Sequence, residues 1–240
     1  MTNNLALEIK NLTKNYDDFT AVDDLSLEIP QGEFFGFLGP NGAGKTTTIN
    51  CITGVANFTQ GEIKVYGTDV QQDYRQARKK IGLAPQEYNV DKFETVENIL
   101  WFFGGYFGID KETREERMEE HLGTFDLQSH REKQFRELSG GLKRRVMLAR
   151  AMMNDPEFVI FDEPTAGVDV ELRHELWKYL KKLNKEGRTI FLTSHYIEEI
   201  EALCERVGVI HQGKLVRVDQ KEKLMENKNS LEEKYLELTQ

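Results

Sequence analysis

Residues 39–46 read Gly-Pro-Asn-Gly-Ala-Gly-Lys-Thr, and no other segment limits the possible folds so sharply. Gly39, Gly42 and Gly44 let the backbone turn its N–H groups inward around an anion, through conformations that a β-carbon obstructs. This pattern needs a strand before it and a helix after it. The apolar run Glu33-Phe-Phe-Gly-Phe-Leu38, bounded by Gly32 and Gly39, suits a strand buried on both faces, and Thr46 to Thr53 reads as a helix. The candidate phosphate site is therefore Gly39, Pro40, Asn41, Gly42, Ala43, Gly44, Lys45, Thr46 and Thr47. Lys45 is expected to reach the β- and γ-phosphates, and the Thr46 hydroxyl offers a hard oxygen to Mg²⁺. Helix-terminal N–H groups add to the anion site.

A second chemical segment is Phe158-Val-Ile-Phe-Asp-Glu-Pro164, with two carboxylates at the end of a buried strand. Open α/β sheets present ligands beyond their carboxyl edge, so Asp162 and Glu163 are expected there. Asp162 is positioned to hold Mg²⁺, and Glu163, one residue on, to polarise an attacking water as general base.

The remaining chain supports the same fold class. Apolar runs recur at Ile81 to Ala84, Phe158 to Phe161, Thr189 to Thr193 and Val207 to Ile210, while Leu172, Leu176, Tyr179, Leu180 and Leu183 mark one helix face. Strand and helix alternate, which predicts an α/β core with a largely parallel sheet. Alternation at Leu25, Leu27 and Ile29, and more weakly over Ala6 to Lys10, predicts antiparallel β structure at the start. From about Glu94 to Met153 no buried strand is legible, and dense mixed charge such as Lys111 to Glu120 suggests an inserted helical subdomain. Residues 1–87 and 157–220 are thus expected to form the core with its N-terminal β subdomain, 88–156 the helical insert, and 221–240 a short helical tail.

Charge and cysteine usage narrow the partners. With 32 Lys+Arg against 41 Asp+Glu, the net charge of -9 has the wrong sign for a chain held on phosphate backbones, so nucleic acid is not the expected partner. Cys51 and Cys204 are far apart and in no metal-binding spacing, which fits a reducing compartment. No signal-peptide pattern opens the sequence. The apolar window Ile99 to Ile109, interrupted by Gly104 and Gly105, is too short to cross a bilayer, so the chain is not expected to form a pore alone.

A third motif distinguishes among phosphate-loop enzymes. Leu138-Ser-Gly-Gly-Leu-Lys-Arg-Arg145, shortly before the Asp162 strand, resembles the signature of ATP-binding cassette ATPases. The order and spacing of all three motifs are similar to that family's nucleotide-binding domain over nearly the whole chain, most like ATPase subunits of ABC-2-type export systems. The resemblance implies a P-loop NTPase (RecA-like) core with an antiparallel β subdomain and a helical insert. It departs from the family at Leu142, where the usual residue is Gln, which puts in doubt any contact made by that amide alone. Ser139, Gly140 and Gly141 are intact and imply hydroxyl and backbone N–H donors for a γ-phosphate supplied in trans.

By the same resemblance, Tyr16 looks like the aromatic that stacks on adenine. Gln86 looks like the glutamine that senses Mg²⁺ and γ-phosphate. Asp169 looks like the loop residue at the dimer interface, and His195 like the histidine that holds the γ-phosphate and orients the water. The implied cofactors are ATP and Mg²⁺. The implied assembly is a head-to-tail dimer of ATPase subunits, most simply a homodimer, beneath a separate transmembrane permease subunit at the cytoplasmic face of the membrane. Aromatics between Trp101 and Phe107 either pack the insert or face that subunit. Lys143, Arg144 and Arg145 read as a solvated helix face or, alternatively, a surface for an acidic partner. Two other functions compete: a soluble ABC-type ATPase acting on ribosomes or DNA, and a small-metabolite kinase, which would need neither the signature nor Asp169.

Overall fold

The computed structural model describes residues 4–225 and 230–239. In chain order the elements are β1 (Leu5–Tyr16), β2 (Phe19–Pro30), β3 (Phe34–Leu38), α1 (Lys45–Ile52), β4 (Gln60–Val65), β5 (Thr68–Asp69), α2 (Tyr74–Lys79) and β6 (Ile81–Ala84). Then follow α3 (Val96–Tyr106), α4 (Lys111–Thr124), α5 (Gly140–Met152), β7 (Phe158–Asp162), α6 (Val170–Lys185) and β8 (Thr189–Ser194). The last elements are α7 (Ile197–Leu203), β9 (Arg206–His211), β10 (Lys214–Gln220), α8 (Lys221–Leu224) and α9 (Leu231–Thr239).

These strands make two sheets. One is antiparallel, in the order β2-β1-β4-β5; the other has the order β10-β9-β3-β8-β7-β6. In the second, β9, β3, β8, β7 and β6 run parallel and β10 closes one edge antiparallel to β9. The run Phe34–Leu38 is buried along its whole length, as are β7 and β8. Side chains alternate across the sheet. Phe34, Leu38, Val159, Phe161, Ile190 and Leu192 face a core shared with α5, α6 and the helices between β6 and β7. Phe35, Phe37, Phe158, Ile160 and Phe191 face a second core, closed by α1 and the antiparallel sheet. Phe191 stacks on Phe35 at 5.8 Å between ring centroids and meets Phe37 at 5.3 Å.

Differences from the sequence reading have local causes. β1 extends to Tyr16, well beyond Lys10, but register irregularities between Ile9 and Lys14 and a left-handed Asn11 (φ 48°) break its alternation. β4 and β10 carry no long apolar run. Between β6 and β7, α3, α4 and α5 pack around Leu100, Leu122, Val146 and Leu148. In the tail, Leu231 is buried and its N–H donates to Glu201 Oε1 at 3.1 Å, docking α9 beside α7. The tail's residues 226–229 and 240 lie outside the described residues. Cys51 and Cys204 are buried free thiols.

Candidate functional site

Four parallel strands deliver the chemical residues to one edge. The carboxyl end of β3 leads to Gly39, β6 to Pro85 and Gln86, β7 ends on Asp162 and passes to Glu163, and β8 passes to His195. This is the edge at which open α/β sheets bind ligands.

The phosphate loop is narrow by construction. A β-carbon on Gly39 would lie 2.5 Å from the Ile210 carbonyl oxygen, and one on Gly44 would lie 2.7 Å from that of Ala21. Gly44 also has φ 107°, which side-chain-bearing residues rarely adopt. The loop closes through the Ala43 N–H on the Pro40 oxygen at 3.2 Å, with Asn41 and Gly42 exposed at its tip and Thr47 partly buried in the first turn of α1. Lys45 is buried, and its ammonium donates to the Gly39 and Pro40 carbonyls at 2.8 and 3.1 Å.

The two carboxylates differ in surroundings. Asp162 accepts from Thr46 Oγ1 at 3.1 Å on one oxygen and from Thr193 Oγ1 at 2.5 Å on the other. Burial pushes its carboxyl above the usual range, and those two hydroxyls pull it partly back. Glu163 gathers more partners. Its Oε1 lies 3.2 Å from Lys45 Nζ, while its Oε2 accepts from Gln86 Nε2 at 3.2 Å and lies 3.0 Å from His195 Nδ1. Toward an ionised carboxylate, which only accepts, His195 Nδ1 would be the donor, leaving Nε2 free of this contact. Glu163 itself is left-handed, with φ 49°. Such a conformation costs on the order of 1 kcal/mol for a residue with a side chain. It is held by the Glu163 N–H on Thr193 O at 3.1 Å and by Arg144 Nη2 on the Glu163 carbonyl at 2.8 Å.

Tyr16, Asp169 and the signature residues stand apart from this cluster. Tyr16 is 45% exposed, with the Lys14 ammonium 4.3 Å from its ring centroid. Ser139 caps α5, its Oγ accepting from Leu142 N–H at 3.3 Å. Asp169 caps α6 in the same way, with Oδ1 accepting from Leu172 N–H at 2.9 Å. Ser139, Gly141, Leu142 and Asp169 line one shallow cleft together with Arg145, and no phosphate-loop residue shares it. Gly140, the first residue of α5, receives a 3.4 Å hydrogen bond from Tyr88 on its carbonyl.

Thr193 was not singled out by sequence, and Arg144 was read there only as part of a basic cluster. Thr193 pairs with Asp162 across β7 and β8, and holds both the Asp162 carboxylate and the Glu163 backbone. A threonine directly after the apolar Ile190–Leu192 run, two residues before His195, was the available signal. Arg144 corrects the expectation of a solvated face, since it is 2% exposed and bonded to Pro85 and Glu163. Its place on the Arg144–Met147–Leu148–Ala151 stripe was the signal. Arg145 does reach outward, to Asp126 at 2.9 Å and Glu175 at 2.7 Å.

Around the insert, the aromatics divide. Trp101 lies under the Arg114 guanidinium at 4.4 Å and Phe103 packs on the core, whereas Phe102 is 50% and Tyr106 87% exposed. Among the described residues no helix is long and apolar enough to cross a membrane.

A family model described as "ABC transporter" matches residues 22–166. The chain is 43% identical over 211 residues to "Nod factor export ATP-binding protein I" of Cupriavidus metallidurans, covering 88% of this chain and 69% of that protein. A protein of the same name from Paraburkholderia xenovorans is also 43% identical, with the same coverage. A solved ATP-binding subunit of an ABC transporter matches with TM-score 0.89 and 26% identity over 98% of this chain and all (100%) of that one. A dimeric cassette in a post-hydrolysis state, bound to ADP and Pi, matches with TM-score 0.82 and 28% identity over 89% of this chain and 98% of that one.

Proposed function

The chain belongs to the ABC transporter family, and from that premise we propose that it is the ATP-hydrolysing subunit of an exporter, closing as a dimer on ATP beneath a membrane permease. The observation that carries the reading is the convergence of Lys45, Gln86 and His195 on the Glu163 carboxylate, beside the Asp162–Thr46 pair. The relatives named as export ATP-binding proteins support the direction of transport, and the dimeric cassette supports the assembly.

The residues fit Mg²⁺. Thr46 and Asp162 present a hydroxyl and a carboxylate oxygen 3.1 Å apart, and Mg²⁺ is ordinarily held by one or two such protein oxygens with substrate phosphates and water. Gln86 offers an amide oxygen nearby. When bound, the ion neutralises charge developing on the phosphates.

Each residue then has a distinct task. The loop amides and Lys45 hold the β- and γ-phosphates, and the γ-phosphate competes with Glu163 for the Lys45 ammonium. Released from that ion pair, Glu163 accepts a proton from the attacking water, while His195 steers the water and γ-phosphate through Nε2. Tyr16 supplies a π-face for adenine. Ser139 and Gly141 line a cleft that no phosphate-loop residue shares, which supports a role for them and for Gly140 toward a nucleotide held by a second copy, with Asp169 at the same interface. Residues 88–156 act as a unit that carries the signature against a core of 1–87 and 157–220. The exposed Phe102 and Tyr106 of that unit face the permease at the cytoplasmic side of the membrane.

Steady-state hydrolysis and equilibrium binding test this together. The Glu163→Gln protein is expected to bind MgATP as the wild type does and to turn it over at least ~100-fold more slowly. Undiminished turnover in that variant contradicts the assignment of the base. A polytopic membrane protein should accompany the variant from gently solubilised cells with MgATP; ribosomal proteins or DNA in its place favour the soluble ATPase.

A further inference from the structure

Arg144 occupies an expensive position for a cation. It is 2% exposed, and burial pulls its guanidinium below the usual range against the nearby Tyr88, Asp162, Glu199 and Glu163. Its Nη1 donates to the Pro85 carbonyl at 3.0 Å and its Nη2 to the Glu163 carbonyl at 2.8 Å. Its Nε, also buried, has no hydrogen-bond partner. Packing alone does not call for this arrangement, because an apolar side chain of similar volume fills a buried site without the desolvation cost.

The two acceptors carry the meaning. Pro85 immediately precedes Gln86, and Glu163 carries the carboxylate on which Gln86, Lys45 and His195 converge. Arg144 itself sits in the second turn of α5, whose first residues are Gly140 and Gly141 of the signature. One planar fork therefore joins three segments: the signature helix, the Gln86 loop and the Glu163 loop. Because Glu163 is left-handed and its N–H is already fixed to Thr193, the bond to its carbonyl completes the restraint on its backbone. That restraint fixes the direction in which the Glu163 side chain leaves the backbone, and Lys45, Gln86 and His195 hold the carboxylate beyond it.

We propose that Arg144 is a positioning residue for hydrolysis, which sets the orientation of Glu163 and ties it to the signature helix α5. Movement of α5 is then transmitted to the Glu163 carboxylate through hydrogen bonds to backbone. Lysine carries one compact ammonium and cannot reproduce the fork, so an exchange of Arg for Lys is not conservative here. The inference rests on the proposed hydrolysis at this site.

The test uses the full chain as wild type, Arg144→Lys and Arg144→Met, each alone and combined with Glu163→Gln. Calorimetry reads MgATP affinity, and single-turnover hydrolysis followed over hours reads the chemical rate. Arg144→Met is expected to lower the rate about tenfold or more while affinity stays within about twofold, and Arg144→Lys to fall between. In the Glu163→Gln background, either Arg144 substitution is expected to change the residual rate by less than about twofold, because the group being positioned has already lost its function. A wild-type rate from Arg144→Met overturns the inference, as does a full tenfold loss that persists with Glu163→Gln. Should Arg144→Met fail to fold, Arg144→Lys decides by the same two comparisons. A wild type that binds MgATP without hydrolysing it overturns the reading of the site itself; an active wild type with an equally active Arg144→Met overturns this inference alone.

Discussion

Lys45 and Glu163 form a buried ion pair 3.2 Å long, so each neutralises the other, and a phosphate in the loop would compete with Glu163 for the ammonium. Truncating Lys45 removes the charge that meets that anion. Lys45→Ala should weaken MgATP binding by at least about tenfold in calorimetry, and an unchanged affinity contradicts the role of the loop. Away from the site, burial pushes the Glu33 carboxyl up to about 7, although Arg206 at 3.2 Å opposes it. The unfolded chain releases this proton near 4.5, so the stabilising contribution is complete below 4.5 and is lost as pH rises to about 7. Glu33→Gln should therefore flatten the loss of thermal stability over that window, by an amount of at most roughly 3 kcal/mol; an identical slope in thermal melts rules this out. At this scale the sequence revealed the residues that touch phosphate, because their spacing is fixed by loop geometry. It concealed Thr193 and Arg144, whose roles arise from a β7–β8 register and a helix stripe that bring distant segments together.

Elements were legible where burial is two-sided. β3, β7 and β8 are continuous apolar runs because helices and the second sheet cover both faces. β4, the far half of β1 and the edge strand β10 escaped notice, since bulges and exposed edges erase alternation. The centre of the main sheet should be correspondingly sensitive. Phe191 is fully buried against Phe35, Phe37 and Phe158, and Phe191→Ala should lower stability by about 3–5 kcal/mol in denaturant titration. A loss below ~1 kcal/mol there contradicts the packing described. Asp169 serves α6 as an N-cap through its 2.9 Å bond to Leu172 N–H, so its local role was hidden behind the interface role implied by resemblance. The two roles are compatible, because the cap uses one carboxylate oxygen and leaves the other.

Across the whole molecule, one phosphate loop and one signature occur in separate places on a single chain. The cleft of Ser139, Gly141 and Asp169 contains no residue of the loop, so a complete nucleotide site on this account needs two copies in head-to-tail contact. ATP then becomes part of the interface, and hydrolysis removes the contact that holds it. Phe102 and Tyr106 are exposed on the helical insert, the face proposed above for the membrane subunit. Molecular mass in solution tests the central claim most directly. Light scattering on the Glu163→Gln protein, of 27.8 kDa per chain, should give a monomer without nucleotide and twice that mass with MgATP, returning to monomer when the nucleotide is removed. A mass that stays at one chain at saturating MgATP contradicts the shared site.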